Sequence, residues 1–172
     1  MIRVAITGPE ASGKSELTKE LANEFNTSYA PEFARSYLKQ KNGLYTFEDL
    51  DRIASGQLAN EKLALIKAKE ICFFDTDMLV MYIWSSFRFN KVSPLISQAL
   101  LNSQYDFWFL CKPDLPWEKD VLRESPDQAE RDELYEIYYK YLVQNQPNKF
   151  SIIEGYGNER IEQALSIIDG IL

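Results

Sequence analysis

The octapeptide GPEASGKS, residues 8–15, follows without a break on the apolar run Ile2–Thr7. Its spacing, G-x-x-x-x-G-K-S/T, is that of a phosphate loop: a strand ends, the backbone turns so that N–H groups converge on a phosphate, and a helix begins with its positive dipole end at the same point. Glycine at 8 and 13 lets the chain take positive φ and approach a ligand closely. The feature therefore demands a strand in front, a helix behind and an anion between. The whole loop, Gly8, Pro9, Glu10, Ala11, Ser12, Gly13, Lys14 and Ser15, is expected to cradle ATP, with Lys14 on the outer phosphate oxygens and the Ser15 hydroxyl on Mg2+.

A loop of this kind sits in an alternating α/β sheet, and the rest of the chain supplies one. Apolar runs at Ile71–Phe74, Tyr105–Cys111 and Phe150–Ile153 read, like Ile2–Thr7, as parallel strands covered on both faces. A short strand at Ser28–Ala30, before Pro31, makes five. Leu134, Ile137, Tyr138, Tyr141 and Leu142 follow a helical stripe, as do Ile161, Ala164, Leu165 and Ile168, and both stripes are expected to face the core. Further helices are expected at 13–25, 32–41, 46–69, 77–88 and 94–101. The expected architecture is an α/β P-loop NTPase of three layers, α/β/α, with a five-stranded, mostly parallel sheet and a lid, in a single domain over 1–172. Ligands in such sheets gather at the carboxyl ends of the strands.

Those ends carry the chemistry. Ile71–Asp75 is an apolar strand closing on an acid, so Asp75 is expected to hold Mg2+ with Ser15. Asp77 either serves a substrate hydroxyl or caps the next helix. Glu32 and Arg35, one helical turn apart, can share a face toward the pocket, with Glu32 a candidate, beside Asp75 and Asp77, for the carboxylate that takes a hydroxyl proton and Arg35 as its partner or a phosphate clamp. Gly56 lies inside a helical pattern at a cost of about 1 kcal/mol relative to alanine, so something is expected to pack close to it, and Gln57 beside it is placed with the substrate. Residues 112–131 leave the fourth strand with three prolines and read as a lid whose Arg123 and Arg131 neutralise a transferring phosphoryl group. Trp117 in that segment either stacks on a cationic ring or plugs the core, and Asp114 and Asp120 stand ready to add charge or bind ribose hydroxyls. Gly155, Tyr156 and Gly157 at the last strand end are assigned to the adenine edge.

Composition excludes several alternatives. The chain has no histidine, which removes Ser-His-Asp catalysis and HExxH zinc sites. A net charge of −7 argues against coating nucleic acid. Cys72 and Cys111 sit in apolar runs and are expected to be buried thiols. No run approaches a membrane span and the first residues lack a leader pattern, so a cytoplasmic address is expected.

In their order, GPEASGKS, PEFAR, SGQ, FFDTD, YDFWFL and PDLPWEKDVLRE are similar to the ribosylnicotinamide kinase domain of the multifunctional NAD-biosynthesis regulator family, an AAA-type ATPase-like P-loop kinase. The resemblance implies ATP-dependent phosphorylation of the ribose 5'-hydroxyl of nicotinamide riboside to give nicotinamide mononucleotide. It also implies that Asp114, Trp117 and Asp120 line the nucleoside site. Larger members of that family carry a helix-turn-helix and an adenylyltransferase domain, for which this chain has neither length nor histidines. The alternatives are a kinase of another nucleoside or small alcohol, and a regulatory ATPase switch. A GTPase switch would need N-K-x-D, and Asn90-Lys91-Val92-Ser93 lacks the aspartate.

Overall fold

Successive side chains of the apolar strands are buried on alternate faces, which divides the protein into two cores on opposite sides of one sheet. The computed structural model describes residues 1–120 and 122–171; Val121, within the expected lid, and Leu172 lie outside the described residues. The strands are β1 (Ile2–Thr7), β2 (Tyr29–Ala30), β3 (Ile71–Asp75), β4 (Phe107–Cys111) and β5 (Phe150–Ile153). They pair in the order β2-β3-β1-β4-β5, and every pairing is parallel. Val4, Ile6, Phe73, Phe109 and Cys111 point to one face and pack on α1 (Lys14–Glu24) and α7 (Asn158–Asp169). Ala5, Phe74, Trp108 and Leu110 point to the other, beneath α2 (Phe33–Gln40), α3 (Phe47–Lys67), α4 (Met78–Phe89), α5 (Pro94–Leu101) and α6 (Gln128–Asn145).

Local chemistry sets the helix ends. Thr46 and Asp49 form a capping box that starts α3. Asp77 caps α4, and Ser93 with Pro94 behind it starts α5. Gly56 permits the contact expected of it: a Cβ there would come within 2.3 Å of the Phe33 ring. The α2 and α3 helices close over that point.

The stripe expected on α6 is narrower than its periodicity implies. Leu134, Tyr138 and Leu142 are buried, whereas Ile137 is 38% exposed, because α6 meets the core along a single i, i+4 row. Cys72 and Cys111 are buried free thiols, both pushed up to about 11 by burial.

Candidate functional site

The phosphate loop leaves β1 between β3 and β4, where chain connections depart to opposite sides of the sheet and a crevice must open. Its geometry admits few residues. Gly8 has φ 130°, and a Cβ there would lie 2.6 Å from the Cys111 carbonyl oxygen. Ala11 and Gly13 take φ of 57° and 76°, turning successive N–H groups toward the loop's concave side. Lys14 Nζ lies across the mouth, donating to the carbonyls of Gly8 at 2.9 Å and Pro9 at 2.6 Å.

At the end of β3, Thr76 adopts φ 73°, a strained value for a β-branched residue. That turn gives Asp75 and Asp77 different surroundings. Asp75 is buried beside Lys14 and the Ser15 hydroxyl; burial raises its pKa, and those two neighbours oppose the rise. Its Oδ1 has no hydrogen-bond partner among the described residues. An orphaned buried carboxylate oxygen beside a loop serine suits a phosphate-bound divalent cation, so Ser15 and Asp75 fit Mg2+. Asp77 is spent on the fold: Oδ1 accepts from Thr7 Oγ1 at 2.9 Å and Val80 N at 3.1 Å, and Oδ2 from Trp108 Nε1 at 2.9 Å. Of its two expected roles, the cap is the one the structure displays.

Glu32 precedes α2 and makes no capping bond, which leaves its carboxylate free at the pocket. Burial raises its pKa first and the Asp75 charge second, against the lowering pull of Lys14 and Arg35. Gln57 holds this arrangement from behind rather than reaching a ligand. Its Oε1 accepts from Phe33 N at 2.9 Å, and its Nε2 donates to the carbonyls of Asp75 at 3.3 Å and Thr76 at 3.1 Å.

Gly8, Pro9, Glu10, Lys14, Glu32 and Thr76 form one end of a cavity of about 130 Å³. Its walls are apolar and aromatic, with Leu38, Val80, Trp84, Phe87 and Tyr138, and its far rim is Arg88, Leu122, Glu124 and Ser125. A carboxylate and a lysine thus face a mostly apolar chamber, an arrangement that can orient a hydroxyl beside a phosphate.

The lid residues lie elsewhere than expected. Trp117 does not line the cavity; its ring is covered by Arg131 at 4.8 Å and Arg123 at 5.5 Å. Arg131 is buried, donates to the carbonyls of Ser125 at 2.8 Å and Pro126 at 2.9 Å, and also bonds Gln128, so it braces the lid, while its Nε has no partner among the described residues. Arg123 is held by the Glu118 carbonyl at 2.7 Å. Asp120 accepts from Arg35 at 2.5 Å and from Leu122 N at 2.9 Å, and Asp114 accepts from Gly155 N at 2.8 Å and from Arg160. Neither aspartate lines the cavity, because each is used to pin a loop. Tyr156 is 59% exposed, and Gly157 has open space around it.

Four cavity residues, Trp84, Arg88, Glu124 and Tyr138, carried no distinguishing signal, because α4 is apolar nearly all round and Tyr138 reads as core. Arg160 did carry one. It stands in register with Ala164 and Ile168 on a buried stripe, where a charge needs partners. It finds them in Ser12 O at 2.7 Å, Gly155 O at 2.8 Å, Lys112 O at 2.9 Å and the Asp114 carboxylate, tying the phosphate loop to two strand ends.

Comparison with known proteins bears on the family and the fold. A family model described as an AAA domain matches residues 3–160. The trifunctional NAD biosynthesis/regulator protein NadR of Escherichia coli (strain K12) is 30% identical over 146 residues, which are 83% of this chain and 36% of that protein. The NadR of Salmonella typhimurium is also 30% identical over 146 residues. This chain therefore spans about a third of the curated relatives it matches. Among solved structures, NadR in complex with NR superimposes with a TM-score of 0.81 at 20% identity, covering 98% of this chain and 51% of that one. Deoxyadenosine kinase from M. mycoides, with products dCMP and dCDP, superimposes with a TM-score of 0.66 at 15% identity, covering 98% of this chain and 100% of that one.

Proposed function

This chain belongs to the AAA domain family, and from that premise we propose that it is an ATP-dependent kinase converting nicotinamide riboside to nicotinamide mononucleotide. The observation that carries the proposal is the uncapped Glu32 carboxylate beside Lys14 and Asp75, at the phosphate-loop end of an aromatic-walled cavity. The sequence likeness to NadR supports it.

In this reading ATP extends its γ-phosphate over the loop, and Lys14 leaves the carbonyls of Gly8 and Pro9 for the phosphate oxygens. The 5'-hydroxyl oxygen attacks the γ-phosphorus, Glu32 takes the hydroxyl proton, and ADP leaves. Ser15 and Asp75 would hold Mg2+, which would supply charge neutralisation to the phosphates. The pyridinium of the acceptor lies among Trp84, Phe87 and Tyr138, whose ring faces attract a cation. Arg123, held by one carbonyl and a ring face, is the lid arginine assigned to turn toward the phosphoryl group; both terminal nitrogens of Arg131 are already bonded. Only the kinase step is proposed for these residues.

An ADP-release assay over a panel of nucleosides tests the reading. Nicotinamide riboside should give ADP and nicotinamide mononucleotide in equal amounts. A purine or pyrimidine nucleoside preferred over it would reassign the acceptor, and rapid ADP formation with no acceptor would favour an ATPase switch.

A further inference from the structure

A side chain of the phosphate loop reaches across to the lid. Glu10 lies in the middle of the loop, yet its carboxylate accepts from lid backbone, from Glu124 N at 2.9 and 3.1 Å and from Ser125 N. Among the described residues the chain between β4 and α6 contributes no strand to the sheet, so these N–H groups have no ladder to join and the carboxylate is their partner.

The contact continues to the cavity wall. The Glu124 carboxylate accepts from Tyr45 OH at 2.8 Å and pairs with Arg88 Nε at 3.5 Å. Tyr45 in turn accepts from Trp84 Nε1 at 2.9 Å, and Arg88 donates to Ser125 Oγ at 2.7 Å and to Glu130 at 2.8 Å. An unbroken series of polar contacts thus joins the loop beneath the phosphates to the indole that lines the acceptor chamber. Arg88 stands between the Glu124 and Glu130 carboxylates and pairs with both.

We propose that Glu10 is a positioning residue that seats the lid segment Glu124–Ser125 on the phosphate loop, shaping the acceptor cavity and keeping water from the phosphoryl group. The part concerning water rests on the kinase reading above; the seating of the lid does not. A transferring enzyme must close before water can compete with its acceptor, and a carboxylate rooted in the loop makes closure depend on the loop's own conformation.

Two measurements separate the claims. Hydrogen exchange at the Glu124 and Ser125 amides of the ligand-free protein should accelerate at least ~10-fold in Glu10→Ala, while core amides of β1 and β4 stay as in wild type. Glu10→Gln, which retains one acceptor oxygen, should fall between. Equal exchange in wild type and Glu10→Ala would overturn the proposal whatever the acceptor proves to be. The second measurement is the ratio of ADP to phosphorylated nucleoside, which should exceed unity in Glu10→Ala and return toward it in Glu10→Gln, with KM for the acceptor rising more than KM for ATP. A ratio fixed at unity in all three proteins would overturn the exclusion of water. Absence of nucleoside phosphorylation in the wild type would sink the kinase reading instead, and the exchange result would still decide the seating of the lid.

Discussion

Among the described residues Lys14 makes no ion pair; its ammonium rests on two loop carbonyls, bonds that a phosphate can replace without leaving a carboxylate unpaired. Lys14→Ala should therefore lower kcat at least ~100-fold through lost transition-state stabilisation, and near-normal turnover would remove the loop from the mechanism. The two carboxylates facing that ammonium set the pH profile. Burial and mutual repulsion raise Glu32, and burial raises Asp75, while the base must be ionised to accept a proton. Turnover should accordingly fall with decreasing pH along a limb that lies above the ordinary glutamate value of 4.5. Arg35 is one of the charges lowering Glu32, so Arg35→Gln should move that limb to higher pH; a limb that stays put would mean another group titrates. These residues were legible because a loop glycine, a strand-end acid and a PEFAR turn each have a local reason to occur. Asp77, Asp114, Trp117 and Asp120 were not, because the same residue types serve equally to cap a helix or pin a loop, and only their partners tell the roles apart.

At the level of elements, strand positions followed from apolar runs and helix positions from caps, so the expected and observed boundaries differ by a residue or two at most ends. The glycine in α3 shows how a sequence anomaly can point to a contact without naming it. Gly56→Ala would gain about 1 kcal/mol of helix propensity. The added methyl would meet the Phe33 ring at 2.3–2.5 Å, and such overpacking costs roughly 1–3 kcal/mol. The ring belongs to the first residue of α2, directly after Glu32, and its amide is the one held by Gln57. The substitution is therefore expected to lower Tm by a few degrees and turnover by about 10-fold, since a displaced base loses alignment more readily than a helix loses stability. Unchanged turnover with lowered Tm would show that the contact is purely one of packing. The cavity itself could not be read from α4 and α6, because apolar residues facing a chamber and apolar residues facing a core have the same periodicity.

Away from the site the molecule also buries an acid whose proton the fold controls. Glu61 on α3 is 8% exposed and accepts from Tyr105 OH at 2.8 Å in the core beneath β4. Burial pushes its pKa up to about 8; the Tyr105 hydrogen bond and Arg3 oppose that rise, and the Asp77 charge adds to it. A carboxyl raised in the folded state favours folding while it stays protonated in both states, and this contribution is lost as pH climbs from its unfolded value of 4.5 through about 8. Over that window stability should decline by on the order of a few kcal/mol, opposite to the behaviour of a carboxylate held by a cation. Glu61→Gln keeps an oxygen for the tyrosine hydroxyl and removes the titrating proton. Thermal melts of both proteins from pH 5 to pH 9 should diverge, the wild type losing Tm with rising pH and the variant holding more nearly level. Parallel melting curves would mean that water reaches Glu61 in the native state, and the buried layer between α3 and β4 would then have to be more open than its packing indicates.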